Sequence, residues 1–69
     1  MNKVEINTEY IKLDQFLKWA AIADNGVVAK SIILDGLIKV NSEVCTMRGK
    51  KLRKGDIIEI EGVDSFEIC

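Results

Sequence analysis

The spacing of apolar residues changes at Gly36, and this change restricts the fold of the chain more than any other feature. Between Leu13 and Gly36, apolar residues recur three and four positions apart, which is the spacing of one helix face. After Gly36, they alternate with polar residues, as in a strand with one buried face. Helices and strands segregated in this way pack as separate layers around one core. The sequence therefore predicts an α+β fold in which two helices pack on a small, mostly antiparallel sheet.

Two helices are predicted in the first half of the chain. The first is expected over residues 13–23, and its apolar stripe consists of Leu13, Phe16, Leu17, Ala20 and Ala21. Residues 24–26, Asp-Asn-Gly, have the composition of a turn. The second helix is expected over residues 28–35 and ends at Gly36, and its inward residues are Ala29, Ile32 and Ile33.

Five short strands are predicted around the helices. Val4 and Ile6 alternate with polar neighbours, which indicates an added N-terminal strand. The other strands are expected at residues 38–40, 44–46, 57–60 and 65–68, and residues 48–55 are expected to form a loop. A chain of 69 residues has room for a single domain, residues 1–69, with a thin core. Since neither a membrane span nor a secretory leader is recognisable, we expect a cytoplasmic protein without a membrane partner.

The net charge of -1 conceals a strong separation of charges along the chain. Residues 12–54 carry nine basic and four acidic residues, whereas residues 55–69 carry five acidic residues and no basic one. Five of the bases lie within residues 48–54, which we call the basic segment. Because bases this close together repel one another, they favour a polyanionic partner such as nucleic acid.

The residue types argue against catalysis and metal binding. The chain has no histidine, so a Ser or Cys nucleophile lacks its usual base, and the two cysteines are too few for a zinc site. We expect Cys45 and Cys69 to be reduced thiols. Glu59 and Glu61 lie about 7 Å apart on one strand face and are interpreted as solvated charges. Residues 26–31 end like a phosphate loop but lack its second glycine. We predict no enzymatic activity, no cofactor and no metal.

Two features of the helices have both a functional and a structural interpretation. Trp19 follows Lys12 by seven residues at the edge of the apolar stripe, so the two side chains are expected to share one boundary. A nucleobase can stack on such a ring, but a Trp in this position is more often partly buried, and we favour that interpretation. Lys30 and Ser31 are expected early in the second helix, where their side chains and the helix-end amides can bind phosphate.

Spaced motifs in this chain occur in the order found in a known RNA-binding domain. They are Leu13-Asp14-Gln15-Phe16-Leu17, Ala29-Lys30 with Ile33 and Gly36, Val40-Asn41, Arg48-Gly49-Lys50-Lys51-Leu52 and Gly55-Asp56. Over residues 12–60 the chain resembles the RNA-binding domain named after small-subunit ribosomal protein S-four, the alpha-L motif. Its two ends are similar to those of the small stand-alone bacterial members. The resemblance implies two helices against a small sheet, no catalysis, and binding of structured RNA, commonly ribosomal or transfer RNA.

The resemblance also implies a recognition surface on the helix pair and the adjoining loop. Its residues in this chain are Lys12, Lys30, Ser31, Arg48, Lys50, Lys51, Arg53 and Lys54. Departures from the family pattern are Val27 and Ser42 at common glycines, Met47 at a frequent basic residue and Lys54 at a frequent proline.

The expected function is that of a monomeric, non-enzymatic module that binds ribosomal or transfer RNA in ribosome assembly or translation. Its expected partners are this RNA and the ribosome or its assembly intermediates. The acidic residues between Asp56 and Glu67 are expected to face away from the RNA. Two alternatives remain open, namely an adaptor whose acidic strands bind a basic protein and a module that binds duplex DNA.

Overall fold

The computed structural model describes residues 1–69 and contains two helices and seven strands. In chain order the elements are β1 (Asn2–Val4), β2 (Ile11–Lys12), α1 (Leu13–Trp19), α2 (Gly26–Leu34), β3 (Ile38–Val40), β4 (Glu43–Val44), β5 (Lys51–Leu52), β6 (Ile57–Ile60) and β7 (Asp64–Ile68). Five strands form one sheet in the order β1-β7-β6-β3-β4, and β2 pairs with β5 in a separate small sheet. Only the β1–β7 pair is parallel. The predicted α+β fold with an added N-terminal strand is therefore confirmed.

The core consists of thirteen buried residues, all of them apolar. The helices contribute Leu13, Phe16, Leu17, Ala29 and Ile33, and the five-stranded sheet contributes Val4, Ile38, Val40, Ile58, Ile60 and Ile68. The rings of Phe16 in α1 and Phe66 in β7 meet edge to face, with their centroids 5.5 Å apart. This geometry is favourable for aromatic pairs, and it fixes α1 on the inner face of the sheet.

Helix α1 ends at Trp19, four residues before the predicted end at residue 23. Ala21 adopts the left-handed conformation (φ 59°). The N–H of Ala21 donates to the Lys18 carbonyl (3.1 Å) and that of Ile22 to the Leu17 carbonyl (2.9 Å), which is the Schellman ending of a helix. The prediction was wrong here because the turn directs Ile22 and Ala23 onto the core, a tertiary contact that apolar spacing does not report.

Helix α2 begins at Gly26, two residues before the predicted start. The Asn25 side chain accepts a hydrogen bond from the Val28 N–H (3.0 Å) and so caps the helix. The helix ends at Leu34, one residue before the predicted end, and the chain leaves it through Gly36, whose φ of 75° suits a residue without a Cβ atom. Ala29 and Ile33 are buried and Ile32 is half-buried, as the predicted inward face requires.

The predicted loop at residues 48–55 contains a strand, β5. Leu52 is fully buried, and its backbone lies opposite Ile11 of β2, which sequence reasoning also missed. A strand of two residues is too short to show alternation, so only the tertiary pairing reveals it. Strand β4 covers Glu43–Val44, whereas a strand was predicted over residues 44–46.

Both cysteines are free thiols. Neither helix has the length and apolar character that crossing a membrane requires.

Candidate nucleic-acid interface

The basic segment, residues 48–54, is attached to the start of helix α1 through backbone hydrogen bonds. The N–H of Leu13 donates to the Lys50 carbonyl (2.9 Å), and the N–H of Asp14 donates to the Arg48 carbonyl (3.1 Å). These two N–H groups belong to the first turn, where the helix itself offers no acceptor. The basic segment therefore supplies hydrogen-bond acceptors to the first N–H groups of α1, and these bonds hold the segment beside the helix.

Lys12 and Lys51 lie directly opposite each other in the β2–β5 pair. Both side chains are exposed, while their neighbours Ile11 and Leu52 face the protein. Like charges directly opposite on paired strands are destabilising. Lys12 also precedes the first turn of α1, where the helix dipole disfavours a cation. The fold thus brings positive charges together at the start of α1, and their repulsion lowers the free energy of unfolding.

Tyr10 is a component of this surface that sequence reasoning missed. The Lys51 ammonium lies 4.9 Å from the centre of the Tyr10 ring, and the Arg53 guanidinium carbon lies 5.7 Å from it. A ring face attracts cations at such distances, so Tyr10 keeps both cations close to one ring. Its position just before a strand gives no sequence signal of this role, since the contact depends on the β2–β5 pairing.

The cations of this surface are almost free of acidic partners. One ion pair exists in the structure, between Arg53 and Glu9 at 3.7 Å, and both side chains are largely exposed. An exposed pair of this length contributes little. The other four bases of the basic segment, Arg48, Lys50, Lys51 and Lys54, are exposed and form no ion pair.

The turn at the end of the basic segment is fixed by a carboxylate. Asp56 accepts a hydrogen bond from the Arg53 N–H (2.8 Å) and another from the Asn41 side-chain amide (3.1 Å). Asn41 in turn accepts from the Ile57 N–H (2.9 Å). Asp56 therefore lies within the basic end of the molecule, and the expectation that it faces away was wrong. The turn requires an acceptor for the Arg53 N–H, and the Asp56 carboxylate provides it although it is an acid among bases.

Lys30 and Ser31 lie apart from the amide groups at the start of α2. They are the fifth and sixth residues of that helix. At the helix start, Asn25 already accepts from the N–H groups of Val28 and Ala29, through its side chain and its carbonyl. The joint use of Lys30, Ser31 and helix-end amides in phosphate binding stays a prediction. Both side chains are exposed on α2, which packs against α1, and no hydrogen bond or ion pair joins them to the basic segment.

Comparison with known proteins agrees with this architecture. The family model described as "S4 domain" matches residues 4–69. The chain belongs to the S4 domain family. The chain is also similar to "Probable ribosome maturation protein RlbA" of Bacillus subtilis (strain 168), with 43% identity over 67 residues that cover 97% of this chain and 94% of the relative. The resemblance inferred over residues 12–60 and toward both ends is confirmed over residues 4–69.

Trp19 is exposed in this S4 domain, and its interpretation as partly buried core was wrong. The residue retains 62% of its accessible surface. Because α1 ends at Trp19, the residue lies at the edge of the helix and not over the sheet. It lines an open groove together with Lys54, and Lys12 is not among the lining residues. A boundary shared by Lys12 and Trp19 stays a prediction.

Three acidic residues that follow the basic segment lie in strands of the five-stranded sheet, namely Glu59, Asp64 and Glu67. Glu59 is opposite Lys39 of β3, and it lines a shallow groove of about 650 Å³ with Glu61 and Asp64. The pKa of Asp64 is lowered, chiefly because its carboxylate accepts from the Ser65 N–H (2.8 Å) and also from Asn2 (2.7 Å). No group of three His, Cys, Asp or Glu residues is arranged to hold a metal ion.

Proposed function

We propose that this protein is a monomeric, cytoplasmic RNA-binding protein of one domain, residues 1–69, that acts in ribosome maturation without catalysing a reaction. Its partner is structured RNA, ribosomal RNA before transfer RNA, within the ribosome or its assembly intermediates. Membership of the S4 domain family and the similarity to a probable ribosome maturation protein support this proposal.

One observation carries the proposal, the placement of Lys12 opposite Lys51 at the start of α1. A pair of like charges in this position lowers stability unless an anion neutralises it. Apart from Arg53, which forms an exposed pair with Glu9, the neighbouring bases lack acidic partners, so the surface matches a chain of phosphates. The proposed contacts come from Lys12, Arg48, Lys50, Lys51, Arg53 and Lys54, and Lys30 and Ser31 extend the surface along α2.

Structured RNA suits this surface better than duplex DNA. In RNA helices the major groove is deep and narrow, so proteins contact mainly phosphates and 2'-hydroxyl groups. Lysine and arginine side chains on the surface of a small domain reach such groups without a helix entering a groove. Neither helix of this chain is longer than nine residues. RNA hairpins should therefore compete better than DNA duplexes at equal salt.

The decisive experiment removes two cations from the basic segment. The double variant Lys50→Ala/Lys51→Ala should bind an RNA hairpin roughly 10- to 100-fold more weakly at low salt, and its slope of log K against log salt should be shallower by about two units. Thermal unfolding checks that the variant folds, and exposed charges should change its stability by only about 0.5 kcal/mol each.

A matched control removes the same charge elsewhere. Lys3→Ala/Lys39→Ala alters two exposed lysines of the five-stranded sheet, and its salt slope should stay close to that of the unaltered protein. Equal losses in both double variants would indicate nonspecific attraction to polyanions and would refute the proposed surface. If Glu59→Gln/Glu61→Gln abolishes binding to a basic protein partner while the lysine pair is silent, the adaptor function replaces RNA binding. Crosslinking followed by RNA sequencing distinguishes ribosomal from transfer RNA.

A further inference from the structure

The one tryptophan of this chain is placed on the surface. Phe16 is fully buried and Phe66 is half-buried against it, whereas Trp19 keeps 62% of its surface accessible. Large aromatic side chains contribute most to a small core when they are buried. A domain of this size that leaves its largest side chain in water forgoes that contribution, so the position of Trp19 needs another explanation.

Trp19 forms one wall of an open groove of about 630 Å³. The other lining residues are Glu5, Ile6, Asn7, Lys54 and Cys69. The walls are fixed by backbone hydrogen bonds. Gly55, next to Lys54, donates to the Ile68 carbonyl (2.7 Å), and Ile6 donates to the Cys69 carbonyl (3.1 Å). The backbone beside Lys54, Ile6 and Cys69 is thus held in place next to the indole.

The chemistry of the groove combines an aromatic face with polar groups. An apolar partner would leave the ammonium of Lys54, the carboxylate of Glu5 and the amide of Asn7 without hydrogen-bond partners. A nucleobase fits both parts, because its ring stacks on an aromatic side chain and its edge carries hydrogen-bond donors and acceptors. Lys54 supplies a charge for the adjoining phosphate.

The groove is continuous in sequence with the proposed RNA surface. Lys54 lies in the basic segment, directly after Arg53, whose guanidinium lies near the Tyr10 ring with Lys51. Lys54 thus belongs both to the basic segment and to the lining of the groove. An RNA strand bound to the basic segment therefore lies next to the groove. We propose that the groove binds one unpaired nucleobase of the RNA, stacked on Trp19, with its flanking phosphate on Lys54. This inference rests on the proposed RNA-binding function and specifies which part of the RNA is recognised.

The test uses Trp19 as its own reporter. The probes are an RNA hairpin with an unpaired loop and a fully paired RNA duplex of the same length. Saturation with the hairpin should quench the fluorescence of the unaltered protein, since stacking brings a base against the sole indole, whereas the duplex should quench it much less. Unchanged fluorescence at saturation with the hairpin would overturn the inference.

Variants separate stacking from charge. Trp19→Ala should weaken hairpin binding roughly 5- to 100-fold and leave the salt slope unchanged, because it removes a stacked base and no phosphate contact. Trp19→Phe should restore part of the affinity. Lys54→Ala should make the slope shallower by about one unit. The matched control is Val63→Ala, which truncates an apolar side chain that is 59% exposed beside the acidic groove and should bind as the unaltered protein does.

The outcomes distinguish this inference from the proposed function. If the unaltered protein binds RNA with the expected salt dependence but Trp19→Ala binds equally well, the nucleobase site is refuted and the proposed function stands. If the unaltered protein binds neither probe, both the nucleobase site and the proposed RNA-binding function are refuted. Equal weakening of Trp19→Ala for hairpin and duplex would also refute the site, because a fully paired duplex presents no unpaired base.

Discussion

Neutralising Lys12 should stabilise the protein and weaken its binding to RNA at the same time. Lys12 carries two unfavourable interactions, the like charge of Lys51 opposite it and the dipole of α1, which begins at the next residue. A like-charged cross-strand pair costs about 0.2 to 1 kcal/mol, and a cation at a helix start costs about 0.3 to 1 kcal/mol at low salt. Lys12→Gln removes the charge and keeps a side chain of similar length, and the Lys12 side chain makes no capping hydrogen bond that would be lost.

The expected gain is about 0.5 to 2 kcal/mol. For a domain of this size, 1 kcal/mol corresponds to roughly 4 to 8 °C in Tm. Thermal unfolding followed by circular dichroism at low salt should therefore show a higher Tm for Lys12→Gln. In 1 M salt the Debye length falls to about 3 Å, so the difference in Tm should shrink. Titration with an RNA hairpin should show weaker binding and a salt slope shallower by about one unit.

Lys18 provides the control within the same helix. It lies in the last turn of α1, where the dipole favours a cation. Lys18→Gln should therefore lower the Tm slightly or leave it unchanged, and it should leave the salt slope of RNA binding close to normal. A lower Tm for Lys12→Gln at low salt, or unaltered RNA binding by that variant, would refute the reasoning that stability is given up here for phosphate binding.

Three further predictions concern the fold. Leu17→Ala truncates a fully buried residue and should lower the free energy of unfolding by about 2 to 5 kcal/mol, measured by urea titration; a small loss would contradict the core position of Leu17. Ala21→Gly should raise the free energy of unfolding by about 0.5 to 1 kcal/mol, since Ala21 has a positive φ that glycine adopts without strain, and an unchanged or lower urea midpoint would contradict this. Because the pKa of Asp64 is lowered, its carboxylate contributes stability above the unfolded pKa, and this contribution is lost as the pH falls through the folded pKa. Asp64→Asn should therefore lose stability at neutral pH and show a smaller further loss between about pH 5 and 2, and an acid titration that matches the unaltered protein would contradict the role of Asp64.

The sequence by itself determined the layers of this protein. Apolar spacing around Phe16 and Ile33 marks two helices with one buried face each, and alternation around Ile58 marks the sheet. Gly36 separates the two patterns. These signals are local, because the period of the apolar residues follows from backbone geometry alone. The crowding of bases in the basic segment is equally local, so a polyanion surface was predictable without coordinates.

Tertiary structure decided where the elements end and which side chains meet. Trp19 and Ala21 follow the helical pattern, yet the chain turns there because Ile22 and Ala23 gain contacts with the core. Lys12 meets Lys51, and Tyr10 meets both Lys51 and Arg53, only through the β2–β5 pairing. Two-residue strands carry no periodic signal, and their pairing joins positions about forty residues apart. The physical reason is that strand pairing depends on contacts distant in sequence, whereas the preference for helix or strand is set by neighbouring residues.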